Sequence, residues 1–195
     1  MKTRNKLYDK SRLRLLCLLT ALLGLFGAGQ AWAQTQPTGA GTKGDPYQIS
    51  TADELRWFAG LVNGTLTDGT AKNNAACAVL TTSINLGGEA WTPIGTSISN
   101  RYTGTFDGAG HTIDGMTIQS TGYNMGFVGY LYTNGVIQNL TLGENCSVSC
   151  DGNYVGGICG YNYGGTITGC TNHGTVNNTG TGDKYTGGIC AYNRS

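Results

Sequence analysis

The chain has 195 residues, 33 of them glycine and three of them proline, with a formal net charge of +1. Six of the 12 basic residues but only one of the 11 acidic ones fall in residues 1–14, so the remainder carries a net charge near −4. That balance offers no basic patch to nucleic acid or anionic lipid, the length fits one domain, and the scarcity of proline excludes a proline-rich disordered linker.

Residues 1–33 read as a secretory signal peptide. The basic stretch "MKTRNKLYDKSRLR" leads into the apolar run "LLCLLTALLGLFGA", and "AWA" sets small residues at the −3 and −1 positions of a cleavage site after Ala33. An apolar run of 14 residues is too short for a transmembrane helix, which needs about 20 residues, so no membrane span is expected. Residues 34–46, "QTQPTGAGTKGDP", read as a flexible leader.

The folded part is expected over residues 47–195. In "YQISTADELRWFAGLVNG", Thr51 and Glu54 form a capping box, and Leu55, Phe58, Ala59 and Val62 recur at helical spacing before Gly64. The spacing predicts a short amphipathic helix over about 52–63. "AACAVLTTSINL" alternates with the period of a strand, and "WTPIG" and "YTGTFDGAGHTIDGMTI" supply further short strands divided by Asp-Gly and Gly turns.

From residue 122 a repeat of about 31 residues takes over. "YNMGFVGYLY" (123–132), "NYVGGICGYNYGG" (153–165) and "YTGGICAYN" (185–193) are three copies of one phrase. Each of the first two is followed by a second small strand, "GVIQNL" and then "GTITGC". Three short strands and three turns per repeat make one coil of a stack, because a single coil cannot bury its own apolar side. The fold expected is all-β: a right-handed parallel β-helix (β-solenoid) whose short N-terminal helix covers one end. The glycines agree. Thirty lie beyond the signal peptide, and each would cost about 0.5–1 kcal/mol inside a strand or helix, so most must occupy turns and close backbone contacts. The chain stops at "GGICAYNRS", where the first strand of a third copy ends. It is therefore expected to be truncated or uncapped there, continuing into a longer chain or associating end to end with itself.

These pieces, from "PYQISTADELRWFAGLVN" through "VGGICGYNYGGTITGCTNHGTV", resemble the GLUG-motif repeat family of bacterial surface proteins across nearly all of residues 44–195. The resemblance implies an exported protein with a β-helical shaft, often an adhesin, located outside the cell or on its surface. Similar repeats accompany some immunoglobulin-cleaving metallopeptidases, but this chain lacks their HExxH motif. It also departs from the family at "TTSI" (81–84), where such proteins usually carry an aspartate.

Three groups of residues are candidates for chemistry. Asp107, His111 and Asp114 in "FDGAGHTIDG" could pair carboxylates for acid–base work on a sugar, or could simply be two Asp-Gly turns, the reading preferred. Cys159 and Cys190 share a repeat position and are either a disulfide between coils or a ladder of small buried thiols. The tyrosines form columns: Tyr130, Tyr161 and Tyr192; Tyr123, Tyr154 and Tyr185; Tyr132 and Tyr163. They either stack structurally or, if outward, form a stripe for a sugar or a protein partner. The ligand-binding candidates are Tyr130, Tyr161, Tyr192 and Tyr163, with Asn162 and Asn193 beside them. No catalytic residue, metal or cofactor is expected. The expected function is a non-catalytic surface scaffold binding glycan or a host surface protein, with a polysaccharide-active β-helix enzyme or a pure stalk as alternatives.

Overall fold

Parallel pairing between positions about one repeat apart organises this chain. In the computed structural model, which describes residues 35–182 and 184–194, the strands pair in parallel with partners 28–31 residues away. Strands β1 (Tyr47–Ile49), β2 (Ala78–Leu80), β4 (Thr105–Asp107), β8 (Val136–Gln138) and β13 (Thr166–Thr168) form a five-stranded sheet in that order. Strands β3 (Ile84–Asn85), β5 (Thr112–Asp114), β9 (Thr141–Leu142) and β14 (Thr171–Asn172) form a second. Strands β6 (Thr117–Ser120), β10 (Ser147–Cys150) and β15 (Thr175–Asn178) form a third. The repeated phrase supplies two more: β7 (Val128–Tyr132), β12 (Cys159–Tyr163) and β17 (Cys190–Arg194), and the pair β11 (Tyr154–Gly156) and β16 (Tyr185–Gly187). Among the described residues the fold is all-β, mostly strands with one α-helix, and its stacked parallel sheets are β-helix-like. The signal-peptide segment lies outside the described residues.

Side-chain alternation fills the interior. Every strand is short, and the residue that points inward stacks on its register partner. Tyr47, Ala78, Phe106, Ile137 and Ile167 form one such column, Ile84, Ile113 and Leu142 a second, and Ile118, Val148 and Val176 a third. All but Ile167 and Val176 are buried; those two sit on the last described rung and are only partly covered. Burying one such side chain contributes about 1.5–3 kcal/mol. Phe127, Ile158 and Ile189 continue the pattern: Val128 N donates to Ile158 O at 2.8 Å and Ile158 N to Ile189 O at 3.0 Å.

The helix α1 (Ala52–Asn63) begins at the capping box written in the sequence. Thr51 Oγ1 accepts from Glu54 N, and the Glu54 carboxylate accepts from Thr51 N at 3.0 Å. It ends at Gly64, in the left-handed region with φ of 71°. Phe58 projects from it into the end of the core, 6.3 Å from the Tyr47 ring, 6.1 Å from Tyr102 and 5.9 Å from Phe106. Asn63, though buried, is fully paired: its Nδ2 donates to Pro93 O and its Oδ1 accepts from Gly95 N. Arg56 pairs with Glu89 across the same junction.

Residues 34–46 correct one expectation. Their described part is no free leader. Thr38 bridges Gln48, Cys77 N donates to Gly41 O at 2.8 Å, and Pro37 and Gly41 are buried. The composition that suggested flexibility has a packing cause: a Cβ on Gly39 would run into Pro46 O, and one on Gly41 into the Tyr47 ring.

Because Phe58 joins the helix to three aromatic rings of the core, Phe58→Ala should destabilise the fold by about 3–5 kcal/mol, as large aromatic truncations in cores do. Thermal or chemical denaturation of residues 34–195 measures it, and a loss below about 1 kcal/mol would mean that the helix is not packed on the core.

Candidate functional site

Strand β12 decides which way the tyrosines face. Its burial alternates, with Asn162 inside and Tyr161 and Tyr163 half-exposed on the outside. The alternation is reset just before it. Ile158 N and Cys159 N both donate to Ile189 O, at 3.0 and 2.9 Å, so the backbone bends and both Ile158 and Cys159 point inward. Cys159 therefore does not share the face of Tyr161, although simple counting along an ideal strand would put it there.

The outward tyrosines form three columns. Tyr130, Tyr161 and Tyr192 stack at 4.7 and 4.9 Å between ring centroids. Tyr132 and Tyr163 stack at 5.2 Å beside them, and Tyr154 and Tyr185 at 5.5 Å on the other side. The columns touch one another: Tyr154 meets Tyr161 edge-on at 5.0 Å and Tyr185 meets Tyr192 edge-on at 5.1 Å. Parallel rings at these spacings cover much of each other, so a ligand meets ring edges and hydroxyls more than ring faces. Burial, then the adjoining Tyr161 and Tyr132 phenols, raises the pKa of Tyr130, so at neutral pH its hydroxyl remains a neutral donor and acceptor.

Arginines close the Tyr132–Tyr163 column at both ends. Arg101 lies 4.7 Å from the Tyr132 centroid and Arg194 lies 5.2 Å from that of Tyr163. A guanidinium over a tyrosine face gains about 0.5–1 kcal/mol at exposed sites. Arg194 also bonds the Tyr161 side chain, which raises its own pKa. Neither arginine was singled out from sequence. Arg194 could have been, since it stands opposite Tyr163 in register.

Two candidate residues leave the site. Asn162 is buried: its Nδ2 donates to Gly165 O at 3.0 Å and Asn193 Oδ1 at 2.7 Å, and its Oδ1 accepts from Gly165 N at 2.9 Å. It occupies the register position of the buried Leu131, and its polar groups are spent inside. Asn193 stacks on it and is exposed only at the last rung. Neither stands beside the tyrosines, because the strand period that turns Tyr161 outward turns its neighbour inward. Tyr123 also leaves its expected column. Met125 is the residue opposite Val155, so Asn124, with φ of 58°, falls opposite Tyr154, and Tyr123 stands apart, 61% exposed.

The aspartates serve turns. Asp107 Oδ1 accepts from Ala109 N at 2.8 Å and Asn139 Nδ2 at 3.1 Å, and its Oδ2 accepts from Gln138 Nε2 at 2.7 Å. Asp114 accepts from the backbone and side chain of Asn145 at 3.0 and 2.8 Å. Each ties one coil to the next. The six described cysteines are free thiols. Cys146 Sγ points at Ile113 O at 3.3 Å and Cys150 Sγ at Gly122 O at 3.1 Å, so these act as small hydrophobes with a weak donor aimed at the neighbouring coil. Burial pushes the Cys159 thiol well up.

The carboxylates set an acid limit. Burial alone would raise the Asp107 pKa, but the hydrogen bonds from Ala109, Gln138 and Asn139 outweigh it and hold the group below its ordinary value. The Asn145 side chain does the same for Asp114. A folded-state pKa below the unfolded one gives stability that is complete above the unfolded value, about 4, and is lost as pH falls through the lowered value. The melting temperature should therefore fall below about pH 4, and Asp107→Asn should flatten that fall while lowering stability at neutral pH. Melting curves across pH test it; an unchanged acid slope in the variant would show that Asp107 contributes nothing to the linkage.

Parts of this chain are similar to known proteins. The chain is 36% identical over 116 residues to Halomucin of Haloquadratum walsbyi, a match covering 57% of this chain and 1% of that protein. It is 32% identical over 132 residues to a candidate Gly-rich membrane protein of Evansella cellulosilytica, covering 65% of this chain and 14% of that one. The chain thus spans only a small part of these relatives. Among solved structures, a candidate immunoglobulin A1 protease from Bacteroides ovatus aligns with a TM-score of 0.38 at 18% identity, over 80% of this chain and 64% of that one. Residues 151–177, which carry β11 to β14 and the start of β15, match the family described as the GLUG motif. The chain therefore carries a GLUG motif on the second copy of its repeated phrase.

Proposed function

We propose that the chain is a segment of a right-handed parallel β-helix, a solenoid shaft exported to the cell surface, and that it works as a non-catalytic adhesion scaffold whose tyrosine face holds a glycan or protein partner. The observation that carries the binding role is the clustering of seven tyrosines and two arginines on one outer face, beyond what the apolar interior needs. Such a surface is amphipathic, with hydroxyls and guanidiniums framing rings, the composition that recurs at interfaces. Right-handed crossover is the default for parallel strands joined in this way. Export rests on the signal-peptide pattern, and surface location on that pattern and the names of the relatives. Among the described residues, no helix is long and apolar enough to cross a membrane.

A polysaccharide-active enzyme is disfavoured by Asp107 and Asp114, whose carboxylate oxygens are engaged by turn and neighbouring-coil donors. The stalk reading is favoured by one observation, the mutual covering of ring faces within the columns. The last described rung, with Ile167, Val176 and Ile189 partly covered, is where a further coil or a second copy end to end would fit.

Immobilised residues 34–195, tested against mucin and a glycan array, separate binding scaffold from stalk. Tyr161 has stacked rings on both sides but is half-exposed, so Tyr161→Ala should cost only about 1–3 kcal/mol from lost ring pairs while weakening partner binding tenfold or more. Equal binding by wild type and variant, or no binding by wild type, would retire the tyrosine face as an interaction surface.

A further inference from the structure

The corner that follows β6, β10 and β15 differs between copies. Five positions separate Ser120 from Met125, and five separate Cys150 from Val155, with each pair in register. In the next copy, Cys150 stands opposite Asn178 and Tyr154 opposite Tyr185, so seven positions cover what four covered below. Three extra residues have been inserted at one corner, and the sheets on both sides keep their register. In a stacked-coil fold an insertion is tolerated at a corner and displayed there.

The enlarged corner walls an open cleft of about 490 Å³, lined by Thr121, Tyr123, Asp151, Thr179, Thr181 and Lys184. A second hollow of about 310 Å³ shares Thr121, Asp151 and Thr179 and adds Gln119, Ser120 and Ser149, so one polar groove runs across successive coils. Ligand clefts fall in this size range. The lining is specific in kind. Tyr123, 61% exposed, stands apart from the stacked columns and keeps its ring free for a ligand. Asp107 and Asp114 have their oxygens engaged by hydrogen bonds, whereas the Asp151 carboxylate has no donor among the described residues. Lys184 Nζ, 3.0 Å from Asn153 Oδ1, is held at the rim. Gly152 brings the backbone of the middle coil close to the one below, since a Cβ there would run into Gly122 O.

We infer that this groove is a binding site for a saccharide, separate from the tyrosine face. A pyranose offers an apolar C–H face to an aromatic ring and equatorial hydroxyls to acceptors and donors. Tyr123 supplies the platform. Asp151 accepts from two adjacent hydroxyls, and Thr121, Thr179 and Thr181 donate or accept along the groove. The rungs are about 4.8 Å apart, close to the length of one sugar unit, so a linear chain laid along the groove meets Thr121, Asp151 and Thr179 at successive rungs.

The test is NMR titration of residues 34–195 with xylohexaose, mannohexaose and cellohexaose, with Tyr123→Ala, Asp151→Asn, and a chain shortened by three residues between Gly180 and Lys184. At least one hexasaccharide should shift the amides of Thr121, Tyr123, Asp151 and Thr179. Each variant should weaken that binding tenfold or more without a large change in melting temperature, and Tyr161→Ala should leave it intact. Binding lost in Tyr161→Ala but kept in Tyr123→Ala would overturn the groove in favour of the tyrosine face. No shift at the groove with any of the three sugars would overturn it outright.

Discussion

Parallel, in-register hydrogen bonding between coils is the constraint on which the rest of this structure depends. It places each residue directly over one about 30 positions away, at strand spacing, so every side chain has a near-copy of its own environment above and below. Branched aliphatics gain by stacking on aliphatics inside, and phenols gain by stacking on phenols outside. The same rule carries Asn162 onto Asn193, where the Asn162 amide donates to the Asn193 side chain of the next coil. Glycine is the complement of this rule. Where two coil backbones approach too closely for a side chain, as at Gly152 against Gly122, nothing larger fits.

The repeat was legible from residue 122 because like stacks on like there. It was not legible earlier, although the structure stacks from Tyr47 onward. The column Tyr47–Ala78–Phe106–Ile137 uses a different residue on nearly every rung, and α1 and the connection from Trp91 to Gly104 interrupt the phrase. Volume is shared out down the column, with small Ala78 between two rings, so packing repeats while identity does not. The helix was readable because its signals are local: a capping box and a glycine stop need no partner coil.

The site was half legible. The tyrosine columns could be counted, and the strand period puts Tyr161 on the face opposite Ile158. That same period puts Asn162 inside, so its place beside the tyrosines was an error of reading rather than a missing signal. The Tyr123 position was hidden, because Asn124 adopts a left-handed backbone that shifts the register by one residue before Met125. The bend at Ile158–Cys159 was equally hidden, since shared acceptance by Ile189 O depends on the coil above. What separates faces from corners is physical: sheets cannot change length without breaking their ladders, whereas corners can. Chemical variety therefore collects at corners, and uniform columns collect on faces.

The account stands on register, and methyl and aromatic NOE measurements on residues 34–195 test it most directly. The account predicts cross-peaks linking Ile118 to Val148 and Val148 to Val176, Ile113 to Leu142, and the rings of Tyr130, Tyr161 and Tyr192 in sequence. Antiparallel hairpin cross-peaks between β8 and β9, or between β12 and β13, with no contacts between residues about 30 positions apart, would contradict it.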